Sequence, residues 1–364
     1  MMPGIDILLQ LFIDKDASDL YLTVGAAPML RILDRMEPCV PEKLSQEHIN
    51  AFLKELVSAE IIDEFSSTFE YNTAINWKDQ ARFRINIFRQ QQHTGLVLRR
   101  IRSDIPTIAK LGLPPIYESL MMEKRGLILV VGPTSAGKST SLAAMLEYRN
   151  LKGSGHIITI EDPVEFLHEH RNCLVTQRDV GIDTYSFGIG LKNALRQTPD
   201  VIVIGEIRDR ETMEHAIVFS ETGHLCLATL HANNTHQAVE RIINFFPEEK
   251  HAQVLLNLSF NLRAVLSQRL VRNKEAKRTV AVEIMLNQGL ITELIREGRI
   301  NEIRDCIEKG HASDMQTFDQ AMLDLYMKGV ISAEVAAGEW DNPANVRLAI
   351  KQHEMASYIP RKIF

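Results

Sequence analysis

The chain has 364 residues, 45% of them hydrophobic and 24% charged, with a net charge of −6. That is a globular profile with room for two domains, and its acidic balance supplies no basic field to draw it to nucleic acid. Four scattered cysteines, Cys39, Cys173, Cys226 and Cys306, form no C-x-x-C pair, which argues against a zinc ribbon or a disulfide framework and for a reducing compartment. No apolar run approaches the ~18 residues that a membrane span needs.

The opening MMPGIDILLQLFIDKDASD has no positive n-region and no cleavage site, so it reads as an amphipathic helix rather than a signal peptide. Residues 45–60 (SQEHINAFLKELVSAE) form a helical pattern with Ser45 as its cap and Glu47 and His48 in the first turn. Phe69–Asn76, Ala81–Phe88 and Leu96–Ile101 read as strands. In ARFRINIF, Arg82 and Arg84 share one face while Phe83, Ile85 and Ile87 share the other. Residues 1–102 are therefore expected to form an α+β domain. The stretch 103–118 (SDIPTIAKLGLPPIYE) carries three prolines and one glycine, which punctuate rather than extend an element, and the domain boundary is placed there.

From 119 to 285 strands and helices alternate. Strands are expected at Leu127–Val131, His156–Ile160, Val201–Ile204 and Leu225–Leu230, with helices at Thr140–Leu151, Phe187–Gln197, Glu211–Thr222 and His236–Phe246. Near-continuous apolar strands in such alternation predict a parallel sheet covered by helices on both faces. Ligands then bind beyond the carboxyl ends of the strands. From about 289 to 364 the pattern is mostly helical, and residues 119–364 are taken as one domain.

Each chemically suggestive motif falls at a strand end. LILVVGPTSAGKST runs from a strand into Gly132-x-x-x-x-Gly137-Lys138-Ser139, the spacing of a phosphate-binding loop. Glycines let successive N–H groups face one anion. The residues expected around the phosphates are Pro133, Thr134, Ser135, Ala136, Gly137, Lys138, Ser139 and Thr140. Lys138 supplies the charge, the Ser139 hydroxyl holds Mg²⁺, and the helix start adds its positive end. HIITI ends in Glu161-Asp162-Pro163-Val164-Glu165, three carboxylates expected to face that loop, with Glu161 the candidate for the metal or its bound water. VIVI ends in Gly205-Glu206-Ile207-Arg208-Asp209. Gly205 stands where many such ATPases carry an aspartate, which moves metal duty toward Ser139 and Glu161 and leaves Glu206 to orient and polarise the attacking water.

His224 and His231 bracket the strand LCLATL. About 20 Å of strand separates them, so they cannot share one metal. His231, at the carboxyl end, can reach the γ-phosphate region. His224, at the other end, acts elsewhere, such as at a subunit boundary or as a polar cap. Arg82, Arg84, Arg99 and Arg100 suit phosphate through their planar forks, although the exposed face of a half-buried sheet presents arginines in the same way.

GPTSAGKST, ITIEDPVEF, VIVIGEIRD and GHLCLATLH, in that order, resemble the Walker A loop, Asp box, Walker B and His box of the secretion ATPases of type II, type IV and pilus systems. SDLYLTVGAAPMLRI resembles that family's opening strand–loop–strand. The short N-terminal region, the chain length and the missing tetracysteine zinc motif resemble the type IV pilus retraction ATPases of the PilT/PilU group more than the extension or type II secretion enzymes. Two departures favour the PilU side: Ser135-Ala136 where PilT-like loops commonly read Gly-Ser, and a C-terminal GLITELIREG without the start of the PilT AIR-type segment.

The resemblance implies a PAS-like N-terminal domain, a RecA-like ATPase domain, and a ring of six copies binding ATP and Mg²⁺. It also implies that N-terminal arginines, here Arg84 and Arg99, enter the catalytic site with Glu206, Glu161 and His231. The implied place is cytoplasmic, at the inner-membrane base of the pilus machine. The implied partners are a PilT-like ATPase and the membrane platform protein, with no nucleic acid and no direct membrane span. The implied work is ATP-driven pilus retraction in an accessory role. A ring-forming assembly factor with little turnover, an extension or type II secretion motor, and a DNA translocase are the competing readings. The tail YIPRKIF is either a docking peptide or a frayed end.

Overall fold

The computed structural model describes residues 2–32, 35–78, 80–101, 104–310, 314–338 and 350; the tail YIPRKIF lies outside them. Contacts divide the chain into two units. The first holds Met1–Asp104 with Val164–Leu167 and Asp179–Tyr185, and the second holds Ile105–Pro163, His168–Arg178 and Ser186–Phe364. The main separation at residues 104 and 105 falls inside the proline-punctuated connector. The two short insertions into the first unit carry no sequence signal.

The first unit is built on strands β1 (Asp19–Leu22), β2 (Met29–Ile32), β3 (Arg35–Pro38), β4 (Glu70–Trp77), β5 (Ala81–Gln90) and β6 (His93–Ile101). They pair antiparallel in the order β3-β2-β1-β6-β5-β4. Alternation on β5 buries Phe83, Ile85 and Ile87 completely and leaves Arg82 and Arg84 half-buried on the other face. Helix α1 (Ile5–Asp14) buries Ile5, Leu8, Leu9 and Phe12 at helical spacing. The Phe12 and Phe83 rings stack at 5.1 Å, and replacing Phe83 by Ala would cost roughly 3–5 kcal/mol. Helix α2 (Gln46–Leu56) starts with a reciprocal cap, in which Ser45 accepts from the His48 N–H and the His48 ring accepts from the Ser45 N–H. Helix α3 (Ala59–Thr68) follows.

The second unit opens with helix α4 (Ile116–Met121). Its sheet comprises β7 (Gly126–Val131), β8 (Gly155–Glu161), β9 (Cys173–Asp179), β10 (Val201–Ile204), β11 (Leu225–Leu230), β12 (Leu262–Arg272) and β13 (Arg278–Leu286). The order is β13-β12-β7-β11-β10-β8-β9. β8, β10, β11, β7 and β12 run parallel, and β13 returns antiparallel to β12. The four expected strands are present within a residue at each end.

The β12–β13 hairpin and β9 are additions to the sequence reading. Buried Ser267, Gln268 and Glu283 interrupt the apolar run that marks a buried strand, and the hairpin turn around Asn273 contains neither glycine nor proline.

Helices α5 (Lys138–Lys152), α6 (Phe187–Ala194), α7 (Arg210–Glu221) and α8 (Thr235–Asn244) connect the strands. The turn after α6 tightens to 3₁₀ at Leu195–Gln197 and stops at left-handed Thr198, ahead of Pro199. Helices α9 (His251–Asn261), α10 (Leu290–Glu297), α11 (Ile303–Lys309), α12 (Phe318–Met327) and α13 (Ala333–Gly338) complete the unit. The buried Glu283 carboxylate on β13 accepts from both the N–H and the hydroxyl of Thr235 at 2.7 Å, and from the Phe318 N–H at 3.4 Å. One anion thus meets the positive starts of α8 and α12.

Candidate active site

Strand β7 is fully buried to Val131, and α5 begins at Lys138. The six residues between make a tight turn with Gly132 at φ 155°, Ser135 at 62° and Gly137 at 85°. Gly132 is required twice over. Its φ disfavours a side chain, and a Cβ there would come within 2.5 Å of the Gln268 carbonyl oxygen. Ser135 occupies the left-handed region that glycine tolerates best. That is the position where the Gly-Ser loops mentioned above carry glycine, so the departure seen in the sequence has a backbone cost. Ser139 and Thr140 lie in the first turn of α5.

Lys138 is nearly buried. Its Nζ donates to the carbonyls of Gly132 and Pro133 at 2.9 Å and lies 3.5 Å from His231 Nδ1. His231 Nε2 lies 3.0 Å from Glu206 Oε1. Burial, and then the Lys138 charge, hold the His231 pKa below its ordinary value, with Arg241 and Arg208 pushing the same way and Glu206 opposing. The ring is therefore neutral at pH 7. An ammonium only donates, so Nδ1 accepts from Lys138, and Nε2 carries the proton that goes to Glu206. The other Glu206 oxygen accepts from Arg208 at 2.8 Å, and Arg208 reaches Asp162 at 3.3 Å. Glu206, ahead of Asp162 and against some desolvation, raises the Arg208 pKa. Lys138, His231, Glu206, Arg208 and Asp162 thus form one continuous chain across the ends of β7, β11, β10 and β8.

Glu161 stands at the end of β8, where its Oε1 accepts from the Thr159 hydroxyl at 2.7 Å. Gly205 lets the end of β10 approach it, because a Cβ at 205 would meet the Glu161 Cα at 3.0 Å. That accounts for glycine where an aspartate was the common expectation. Of the three carboxylates expected to face the loop, Glu161 and Asp162 belong to the second unit and Glu165 to the 164–167 stretch of the first.

His224, at the opposite end of β11, is held in the preceding turn. Its Nδ1 is 3.0 Å from the Thr222 hydroxyl, and its ring stands edge-on to Phe219. Arg84 and Arg99 belong to the first unit. Arg99 Nε donates to buried Asp19 at 2.8 Å, and Arg84 faces Asp179 electrostatically. Burial raises the Asp179 pKa and Arg84 opposes it.

Two cavities flank the loop. One of about 900 Å³ lies beside Pro133–Ala136 and is lined by Asn234, Arg269, Arg272, Arg278 and Glu334. The other, about 480 Å³, is lined by His231, Gln237, Glu240 and Arg241. Both lie within the range of small-ligand sites, and the arginines favour an anion. The sequence reading missed these arginines and asparagines; only Asn234 carried a local signal, as the N-cap of α8.

A nucleotide fits what is present, a turn with left-handed positions opening a helix beside a buried lysine. Magnesium also fits, because the nearby donors of Ser139, Glu161 and Glu206 are all oxygens. Among the described residues no three His, Cys, Asp or Glu side chains cluster as a metal cage, so phosphate oxygens and waters would complete the coordination.

Residues 46–353 match the family model of type II/IV secretion system proteins. The type IV pilus ATPase PilU of Pseudomonas aeruginosa is 48% identical over 94% of this chain and 90% of its own length. The type IV pilus retraction ATPase PilT of the same organism is 38% identical over 91% and 96%. The crystal structure of the pilus retraction motor PilT with bound ADP superposes with a TM-score of 0.89 at 36% identity, covering 95% of this chain and all of that one. The chain belongs to the type II/IV secretion system protein family, among its pilus retraction ATPases of the PilT/PilU group.

Proposed function

We propose that this chain hydrolyses ATP with Mg²⁺ as a hexameric motor that assists type IV pilus retraction, in the accessory role of PilU-like members. The observation that carries the catalytic part is the Lys138–His231–Glu206 chain. It places a buried ammonium, a neutral imidazole and a carboxylate within hydrogen-bonding reach of one another at the mouth of a phosphate loop. The loop N–H groups and Lys138 hold the phosphates. Magnesium, when bound through Ser139 and water held by Glu161, neutralises charge on them. Glu206 orients the attacking water, and His231 and Arg208 fix the direction of its carboxylate. Arg84 and Arg99 contribute from the N-terminal unit.

The greater identity to PilU than to PilT supports the accessory assignment. The partners are a PilT-like ATPase and the platform protein, at the cytoplasmic face of the inner membrane. Among the described residues no helix is long and apolar enough to cross a bilayer.

Phosphate release by the purified chain, compared with a Glu206→Gln variant, tests the enzyme. Equal release by the two would replace the motor with a nucleotide-binding assembly factor. Retraction scored in cells lacking this chain, with and without the PilT-like partner, tests the accessory role.

A further inference from the structure

Gln268 sits in the middle of β12, fully buried, and meets both the phosphate loop and the helix that the loop opens. Its backbone carbonyl packs where a Cβ on Gly132 would collide. Its side-chain Nε2 donates to Ser141 Oγ at 2.9 Å and to Tyr117 Oη at 3.0 Å. Ser141 lies in the first turn of α5, where its own N–H donates to the Gly137 carbonyl at 3.0 Å. Tyr117 comes from α4 and is fully buried. One side chain therefore ties together the strand beside the loop, the helix that the loop opens, and the first helix of the unit. The residues that follow it, Arg269–Arg272, line the larger cavity.

The remaining amide oxygen, Oε1, is buried and has no hydrogen-bond partner among the described residues. Apolar side chains at 268, 117 and 141 together would fill the same space and leave nothing unmet. A glutamine is thus a poor choice for packing alone, and buried polar groups kept at the expense of stability mark positions held by function.

We propose that Gln268 is a positioning residue for nucleotide binding: with Ser141 and Tyr117 it sets the register of the first turn of α5. That register aims the loop N–H groups and Lys138 at the phosphates. Gln268 does not touch the nucleotide; it acts through Ser141 and the Gly132 backbone. The inference rests on the nucleotide-binding reading of the loop and adds to it a buried network outside the motif.

The test uses the full-length protein with Mg²⁺ and a fluorescent ATP analogue. Gln268→Leu is expected to weaken binding about tenfold and, because it strips the buried Tyr117 and Ser141 hydroxyls of their donor, to lower the melting temperature, a fall that adding Tyr117→Phe should partly recover without recovering binding. The KM for ATP should climb with the Kd while kcat moves much less, because the lost interaction is made equally in ground and transition states. Tyr117→Phe should weaken binding by a smaller factor, and the double variant should bind no worse than Gln268→Leu alone. Unchanged affinity in Gln268→Leu, or affinity that recovers together with the melting temperature in the double variant, overturns the proposal. If Gln268→Leu does not fold, Tyr117→Phe decides: weaker binding at the wild-type melting temperature supports the positioning role, and unchanged binding overturns it. A wild-type chain that binds no analogue would instead sink the nucleotide reading itself.

Discussion

His231 Nε2 lies 3.0 Å from Glu206 Oε1 while the opposite ring nitrogen lies 3.5 Å from Lys138 Nζ. The imidazole is thereby fixed in one tautomer between a donor-only and an acceptor-only group. It links the phosphate-binding lysine to the carboxylate placed for the water.

That geometry has a pH signature. Burial and Lys138 hold the His231 pKa below its ordinary value, so the acid limb of activity should lie lower in pH than an unperturbed histidine would put it. There, protonation places a second cation beside Lys138 and removes the acceptor at Nδ1. His231→Asn should lose rate on the order of 10²-fold and lose this acid limb. A pH–kcat profile of both proteins checks it, and an unchanged limb in the variant would assign the titration to another group.

The left-handed Ser135 predicts a gain. Glycine removes a backbone penalty of about 1–2 kcal/mol, partly offset by the greater freedom of the unfolded chain. Ser135→Gly should therefore raise stability by roughly 0.5–1 kcal/mol, read from the urea midpoint. A lower midpoint would mean that the hydroxyl makes a contact worth more than the strain.

Acid sensitivity should arise at a second site. The buried His168 ring lies 3.1 Å from Glu147, which also accepts from Arg171 Nε at 3.1 Å. Burial lowers the His168 pKa below 6.5, with Glu147 opposing. The folded state therefore refuses a proton that the unfolded chain accepts, and stability declines as pH falls from about 6.5. Glu147 is lowered below 4.5: burial raises it, but hydrogen bonds from His168, Asn150 and Arg171 outweigh that. Its stabilisation is complete above 4.5 and is lost as pH falls through the lowered value. Urea midpoints from pH 7.5 to 4 should show both declines, and His168→Gln should abolish the upper one.

Glu283 meets two helix starts with one carboxylate. Glu283→Ala leaves the Thr235 and Phe318 N–H groups without that acceptor and should cost about 3 kcal/mol, measured by denaturant unfolding. Glu283→Gln, which keeps an acceptor oxygen, should recover part of it. Equal losses in the two would show that charge, rather than hydrogen bonding, holds the helix starts.

What could be read in one dimension had a local cause. Apolar runs such as Leu127–Val131 announced buried strands, because a doubly covered sheet needs them. The Gly132–Ser139 spacing announced the loop, since only that backbone can turn so tightly. Ser45 announced a helix start through its side-chain oxygen. The β12–β13 hairpin stayed hidden because its buried polar residues find their partners far along the chain, Gln268 with Tyr117 and Glu283 with Thr235 and Phe318.

The sequence by itself determined which groups stand at the strand ends, since chemistry and strand direction are both local properties. Only the tertiary structure decided how they pair. Strand order put β11 between β7 and β10, and that adjacency turned a lysine, a histidine and a glutamate spread over 93 positions of sequence into one hydrogen-bonded chain. Neighbours across a sheet are chosen by packing rather than by distance along the chain.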